Sequence, residues 1–143
     1  YIKDPVMLKN WTAFLYFQKG ATLLYAGQEF ENKYQPSLFE KDDISIQTGH
    51  DLSGFMRRLY NIKKQVLSID SDFEAVCDDE NGVVVATRVS GHHKIVGVFT
   101  LEGKEASVTV PLNDGEYINL VTREKITVEG GTLTIKDMPM ILV

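Results

Sequence analysis

The sequence is nearly free of cysteine. Cys77 is the only one among 143 residues, so an internal disulfide and a metal cluster built on several cysteines are excluded. We expect Cys77 to be an ordinary strand residue. His92 and His93 are predicted to occupy a solvent-facing turn, where a metal ion would need further ligands. The sequence therefore predicts neither a metal site nor a bound cofactor.

Positive charge and long apolar runs are also scarce. The formal net charge is −5, whereas a nucleic-acid surface needs clustered positive charge. The pairs Arg57-Arg58 and Lys63-Lys64 are predicted to lie on a solvated helix face. No apolar run approaches the roughly 20 residues that a membrane span needs. We therefore expect neither a nucleic-acid partner nor a membrane partner.

The sequence begins with signals for a helix followed by a buried strand. Asp4-Pro5 predicts a helix start, with aspartate as the N-cap and proline at the first helical position. Lys19-Gly20 predicts its end, and the apolar run from Ala21 to Ala26 predicts a strand that is buried on both faces. The apolar stripe that we expect to face the core at a period near 3.6 is Met7, Leu8, Trp11, Phe14, Leu15 and Gln18.

A loop and a second helix follow the apolar run. Residues 30–50 are predicted to be a loop, in which the adjacent Asp42 and Asp43 are expected to be solvated. Asp51 is the predicted N-cap of the second helix. The apolar stripe of that helix is Leu52, Phe55, Met56, Leu59, Ile62 and Val66.

The pattern changes completely near residue 70. Turn signals such as Asn81-Gly82 and Ser90-Gly91 recur about every ten residues. Short strands at this spacing predict an antiparallel sandwich. The predicted strands are Phe73 to Cys77, Val83 to Val89, Lys94 to Leu101, Ala106 to Pro111, Tyr117 to Val121, Ile126 to Val128, Leu133 to Ile135 and Met140 to Val143.

Residues 20–29 read Gly-Ala-Thr-Leu-Leu-Tyr-Ala-Gly-Gln-Glu and closely resemble the eighth-strand motif of the α-amylase superfamily. That motif is roughly Gly-x-Pro-x-x-Tyr-x-Gly-x-Glu. Gly20, Tyr25, Gly27 and Glu29 match it in register, while Thr22 stands at the place of the usual proline. The helix before this motif, the helix after it and the following sandwich agree with the same family, so the resemblance covers essentially the whole chain.

The resemblance implies a mainly β fold. Residues 1–68 would be the C-terminal remnant of a (β/α)8 catalytic barrel, formed by a helix, a strand, a loop and a helix. Residues 69–143 would be the C-terminal antiparallel Greek-key β-sandwich. Glycoside hydrolase family 13 has this order of elements at the end of its catalytic chain.

The resemblance also implies an enzyme that hydrolyses or transfers α-glucosidic bonds of starch, glycogen or maltooligosaccharides with retention. The family's nucleophile and acid/base lie after the fourth and fifth barrel strands, and its further aspartate lies in an Asn-His-Asp motif. None of these segments occurs here. We therefore predict no catalytic residue in this chain, which alone should be inactive.

Four residues are expected at the rim of the substrate cleft, in contact with an α-glucan that binds through the missing barrel. They are Tyr25, Gln28, Glu29 and Phe30. Glu29 is expected to have a structural or hydrogen-bonding role. The alternative is a noncatalytic carbohydrate-binding or structural β-sandwich, although no platform of exposed aromatic residues is evident.

The predicted barrel remnant suggests self-association. Its strand would leave an apolar patch and backbone groups uncovered, and such surfaces recruit another chain. We therefore expect a homodimer that forms through residues 1–68. No signal peptide is visible, and a cytoplasmic location is the expectation.

Overall fold

The chain folds into two helices followed by an antiparallel β-structure. The computed structural model describes residues 2 and 4–143. The prediction of a mainly β fold, with a sandwich that follows a helical part, is confirmed. The elements are α1 (Pro5–Phe17), the short 3-10 helix η1 (Gln28–Phe30), α2 (Ser53–Val66), β1 (Asp72–Asp78), β2 (Val83–Ser90), β3 (His93–Thr100), β4 (Ala106–Thr109), β5 (Gly115–Ile118), β6 (Lys125–Val128), β7 (Thr132–Ile135) and β8 (Met140–Leu142).

The start of α1 follows the sequence rules, but its end does not. The Val6 N–H donates to Asp4 Oδ1 at 2.9 Å, and Pro5 occupies the first turn. The helix ends at Phe17, where Gln18 turns the backbone to an extended conformation. The predicted end at Lys19-Gly20 was therefore late. Gly20 lies beyond the helix with φ +80°.

The buried face of α1 differs from the predicted stripe. Trp11, expected in the core, is 42% exposed, while Asn10, Ala13 and Phe17 are fully buried. The helix packs on β3 at Gly97, where an added Cβ would lie 3.1 Å from the Phe17 ring. A position without a side chain thus lets this face approach the sheet closely.

No strand forms over residues 21–26, and that prediction was wrong. A strand requires a neighbour that completes its backbone hydrogen bonds. The described part of the chain provides no such neighbour. The segment is instead an exposed connection from α1 to η1.

The second helix starts one residue later than predicted. Leu52 is its N-cap, and Asp51 precedes the cap, with Oδ1 accepting the Ser53 N–H at 2.8 Å. The predicted stripe is otherwise largely correct, because Leu52, Met56, Leu59 and Ile62 are buried.

The largest sheet has the strand order β1-β2-β3-β8, and all its neighbours are antiparallel. Strands β4 and β7 form one further pair, and β5 and β6 form another. Gly91 and His92 make the two-residue turn between β2 and β3, with φ +59° at Gly91. His93 is already paired with Ser90 in the sheet, so the prediction that both histidines lie in the turn was wrong for His93.

Each face of the four-stranded sheet has its own core, because alternate residues of a strand point to opposite faces. Val84, Ala86 and Phe99 face the helices and pack with α1 and α2. Val85 and Val98 face the other strand pairs. Residues of 1–68 and 69–143 thus share one core, while the boundary at residue 68 stays a prediction.

Arg88 crosses the helix-facing core although it carries a charge. It is 2% exposed. Its Nε donates to Ser71 Oγ at 2.6 Å, its Nη1 donates to the Phe17 carbonyl at 2.8 Å, and its Nη2 donates to the Ser68 carbonyl. Burial lowers the pKa of Arg88. The guanidinium connects the end of α1, the segment after α2 and β2.

We expect Arg88→Met to lower the free energy of unfolding by about 2–4 kcal/mol, because it removes three hydrogen bonds of a buried side chain, including the donor to the Phe17 carbonyl. Urea denaturation followed by circular dichroism measures the change. Arg57→Met is the control, since Arg57 is exposed on α2 and should change stability by less than about 0.5 kcal/mol. Equal stability of the two variants would contradict the structural role of Arg88.

Acid should destabilise the turn between β6 and β7. Asp114 accepts the N–H groups of Gly131 and Gly130, each at 2.9 Å, and these bonds lower its pKa from the usual 3.8. A folded-state pKa below the unfolded one adds stability above the unfolded pKa, which is lost as pH falls through the folded value. The free energy of unfolding should therefore fall as the pH decreases below about 5, and it should fall less in Asp114→Asn.

Urea denaturation across this pH range measures the effect. Asp79→Asn is the control, since the Asp79 side chain is exposed and accepts no hydrogen bond among the described residues. If Asp114→Asn followed the same pH curve as the unmodified chain, the contribution of this turn would be refuted.

Candidate functional site

The predicted rim residues lie around a sharp turn. Gly27 adopts φ +96° and precedes η1. A Cβ at this position would lie 2.7 Å from Ile44 Cγ2 and 3.3 Å from Asn32 Cβ. The Gly27 carbonyl accepts the N–H groups of Phe30 and Asn32, both at 3.1 Å. Only glycine meets the conformational and spatial demands of this turn.

The polar side chains of the turn are engaged with its own backbone. Glu29 Oε2 accepts the Gly27 N–H at 2.9 Å, and Gln28 Oε1 accepts the Tyr25 N–H at 2.6 Å. The Glu29 carbonyl accepts the Leu52 N–H at 2.7 Å. These contacts are consistent with a structural role for Glu29, and the rim role itself stays a prediction. Tyr25 presents an exposed ring, while Phe30 is half-buried.

The loop after η1 has its own hydrogen bonds. Asp42 Oδ2 accepts the Tyr34 hydroxyl and the Ser37 N–H, both at 2.9 Å. The hydrogen bond to this carboxylate raises the pKa of Tyr34. Thr48 donates to the Phe30 carbonyl. Asp42 is thus a loop-forming residue, and the tip of the loop presents Phe39 with 94% of its surface exposed.

An apolar cleft of about 510 Å³ separates the N-terminal part of α1 from this loop. Leu8, Leu15, Leu24 and Met56 supply much of its lining. Among the four predicted rim residues, Gln28 reaches the cleft and the other three do not. The lining of the cleft also includes the acidic residues Asp4 and Glu31.

Lys63 has a role that the sequence did not predict. We expected it on a solvated face, but its ammonium donates to the Gln18 carbonyl at 2.8 Å and to Thr22 Oγ1 at 2.9 Å. Burial, together with the charge of Arg88, lowers its pKa. Lys63 thus holds the segment that leads to the rim. No periodicity signal could have indicated these contacts, because they join residues far apart in the sequence.

The described residues lack both a metal-binding cluster and a helix that could span a membrane. No group of three histidine, cysteine, aspartate or glutamate side chains there is placed to hold a metal ion. No helix within residues 2 and 4–143 has the length and apolar character to cross a membrane.

Comparison with known proteins identifies the β-structure. Residues 74–142 match the model of the bacterial alpha-amylase C-terminal domain. Over residues 74–142, the chain resembles the C-terminal domain of the alpha-amylase family. The resemblance seen in the strand motif and the order of elements is therefore confirmed. No curated protein matches the sequence.

Solved amylase structures extend the similarity to the helical part. An alpha-amylase from Lactobacillus plantarum is 27% identical, with a TM-score of 0.82, over 99% of this chain and 34% of its own. A maltogenic alpha-amylase from Thermotoga neapolitana is 19% identical, with a TM-score of 0.79, over 97% of this chain and 36% of its own. The chain thus spans about one third of the length of the amylases that it matches.

The helical part of the chain leaves apolar side chains uncovered. Leu23 is 85% exposed, and Tyr25 and Leu24 are also exposed. We expect self-association through this surface, because apolar patches of this kind rarely stay uncovered. Sedimentation at protein concentrations on the order of 1 mM should show a dimer. Leu23→Asp should shift it to the monomer.

Ile69→Asp is the matched control, because Ile69 is an exposed apolar residue outside this surface. It should leave the dimer intact. A chain that stays monomeric at the highest concentration would refute this prediction.

Proposed function

We propose that this chain belongs to a glycoside hydrolase that acts on the α-glucosidic bonds of starch, glycogen or maltooligosaccharides. Residues 1–68 would form the end of its catalytic barrel and residues 69–143 its terminal sandwich. The observation that carries the proposal is the match to the Lactobacillus plantarum alpha-amylase over 99% of the chain. That match includes the helices, so it extends well beyond the domain matched at residues 74–142.

The proposed reaction retains the configuration of the sugar. Such a mechanism needs two carboxyl groups about 5–5.5 Å apart, one as nucleophile and one as general acid/base. Glu29 is assigned neither role, because the family that the motif resembles does not use this position as nucleophile or acid, and its Oε2 accepts the Gly27 N–H within the turn. We infer that the part of the protein outside these 143 residues supplies both groups.

The role that we assign to this chain is to hold one side of the substrate cleft. Tyr25 offers an exposed ring, and aromatic rings can stack on the faces of sugars. Gln28, Glu29 and Phe30 shape the turn beneath it. Lys63 and the Leu52 N–H connect the segment to α2. The sandwich would support this assembly through the core that it shares with both helices.

We expect the isolated chain to show no turnover of starch, maltotriose or p-nitrophenyl α-glucosides. The reason is that the family's catalytic carboxylates lie in segments that do not occur in these 143 residues. Reducing-sugar and p-nitrophenol release measure the activity, with Glu29→Gln as the matched variant. Turnover that Glu29→Gln abolishes would contradict the proposal.

Calorimetry with maltoheptaose tests the alternative function. The proposal predicts no saturable binding by the isolated chain, because only one side of the cleft is present. Saturable binding without turnover would instead favour a noncatalytic carbohydrate-binding module. Tyr25→Ala then shows whether the rim carries that binding.

A further inference from the structure

A second groove lies on the side of the β-structure away from the helices. It has a volume of about 520 Å³, and residues of β1 and β2 line it together with residues of β4 and the segment that follows it. On β1 the lining residues are Glu74, Val76 and Asp78. This groove is separate from the proposed substrate cleft, since α1 and the rim residues do not line it.

The groove exists because the strand pairs that pack on this face of the four-stranded sheet do not cover β1. Val76 pairs with Val85, and both side chains point to the same face. Val85 is buried in the core between the four-stranded sheet and these strand pairs, but Val76 is 62% exposed. Among the described residues β1 pairs only with β2, and β4 pairs only with β7. Both walls of the groove therefore end in a strand edge whose outer backbone groups are free.

The β1 wall of the groove is acidic at alternate positions. Glu74 and Asp78 flank Val76 on the same face. The carboxylate of Glu74 has no ion-pair or hydrogen-bond partner among the described residues. The Asn81 side-chain amide donates to Asp78 Oδ2 at 2.7 Å, and the Asn81 backbone N–H donates to Asp78 Oδ1 at 3.1 Å. These two hydrogen bonds hold the Asp78 carboxylate in place. Lys94 also lines the groove, where its ammonium donates to the Pro111 carbonyl at 3.3 Å, so the two carboxylates of β1 outnumber this one cation.

We propose that this groove binds an extended, basic peptide segment of a partner protein as an additional strand on β1. Backbone hydrogen bonds to the free edge would supply the contact, and the side chains would select the partner. Lysine or arginine at alternate positions would face Glu74 and Asp78. A small apolar residue between them would cover Val76.

The same charges argue against a second copy of this chain as the occupant. An antiparallel β1–β1 pair centred on Val76 would place Glu74 of one chain opposite Asp78 of the other. A pair centred on Ala75 would place Asp72 opposite Asp78. Like charges in directly opposite positions destabilise a sheet. The acidic edge thus disfavours self-pairing and selects a basic strand.

The test uses the peptide Ac-Lys-Thr-Val-Thr-Lys-NH2 and the isotope-labelled chain in NMR titrations up to about 5 mM peptide, a range suited to millimolar affinity. We expect shifts of the amides at 72–78 and 107–109, weaker binding at high salt, and no binding of the Ac-Glu-Thr-Val-Thr-Glu-NH2 peptide. N-methylation of the central residues should abolish binding, because it removes backbone donors.

Charge exchange supplies the decisive variant. Glu74→Lys should weaken binding of the lysine peptide about tenfold and so reduce the preference for the lysine peptide over the glutamate peptide. Glu124→Lys makes the same charge change at an exposed residue outside the groove and should leave both peptides unaffected. Absent shifts, shifts outside the groove, unchanged binding of the N-methylated peptide or equal effects of the two variants would each overturn the proposal.

Discussion

The connection between the helices and the sheet depends on the hydrogen bonds of the buried Arg88 guanidinium. A charged group in a protein interior costs several kcal/mol unless it is fully hydrogen-bonded. Arg88 meets this requirement with the last carbonyl of α1, the Ser68 carbonyl and the Ser71 hydroxyl. Those acceptors come from three different segments. All three must therefore be in place together, and the end of α1 obtains donors for a helix terminus that would otherwise lack them.

This joint connects the sandwich to the turn that carries the rim residues. Lys63 holds Gln18 and Thr22 directly after the helix end that Arg88 binds. Further along, the Leu52 N–H fixes Glu29 at the start of α2. The exposed segment between Thr22 and Glu29 is thus held at both ends. These contacts thus connect the β-structure, through both helices, to the turn at Gly27.

Several features of the chain could be predicted because they depend on neighbours in the sequence. Asp4 and Pro5 begin α1 through a local cap. Alternation and turn residues locate the strands, for example at Gly91 between β2 and β3. The motif at residues 20–29 indicated the family, which the match at residues 74–142 confirms. Of the candidate site, the sequence indicated the place of the turn but not the contacts of its side chains.

The sequence by itself therefore determined the β-rich class, the start of α1, the hairpins and the family. Only the tertiary structure decided that Trp11 is exposed while Asn10 is buried, that residues 21–26 form no strand, and that Lys63 binds Gln18 and Thr22. Each of these depends on partners that are distant in sequence or outside the described chain. Helix caps and turns arise from adjacent residues, whereas buried faces and strand pairs need surfaces that only folding brings together.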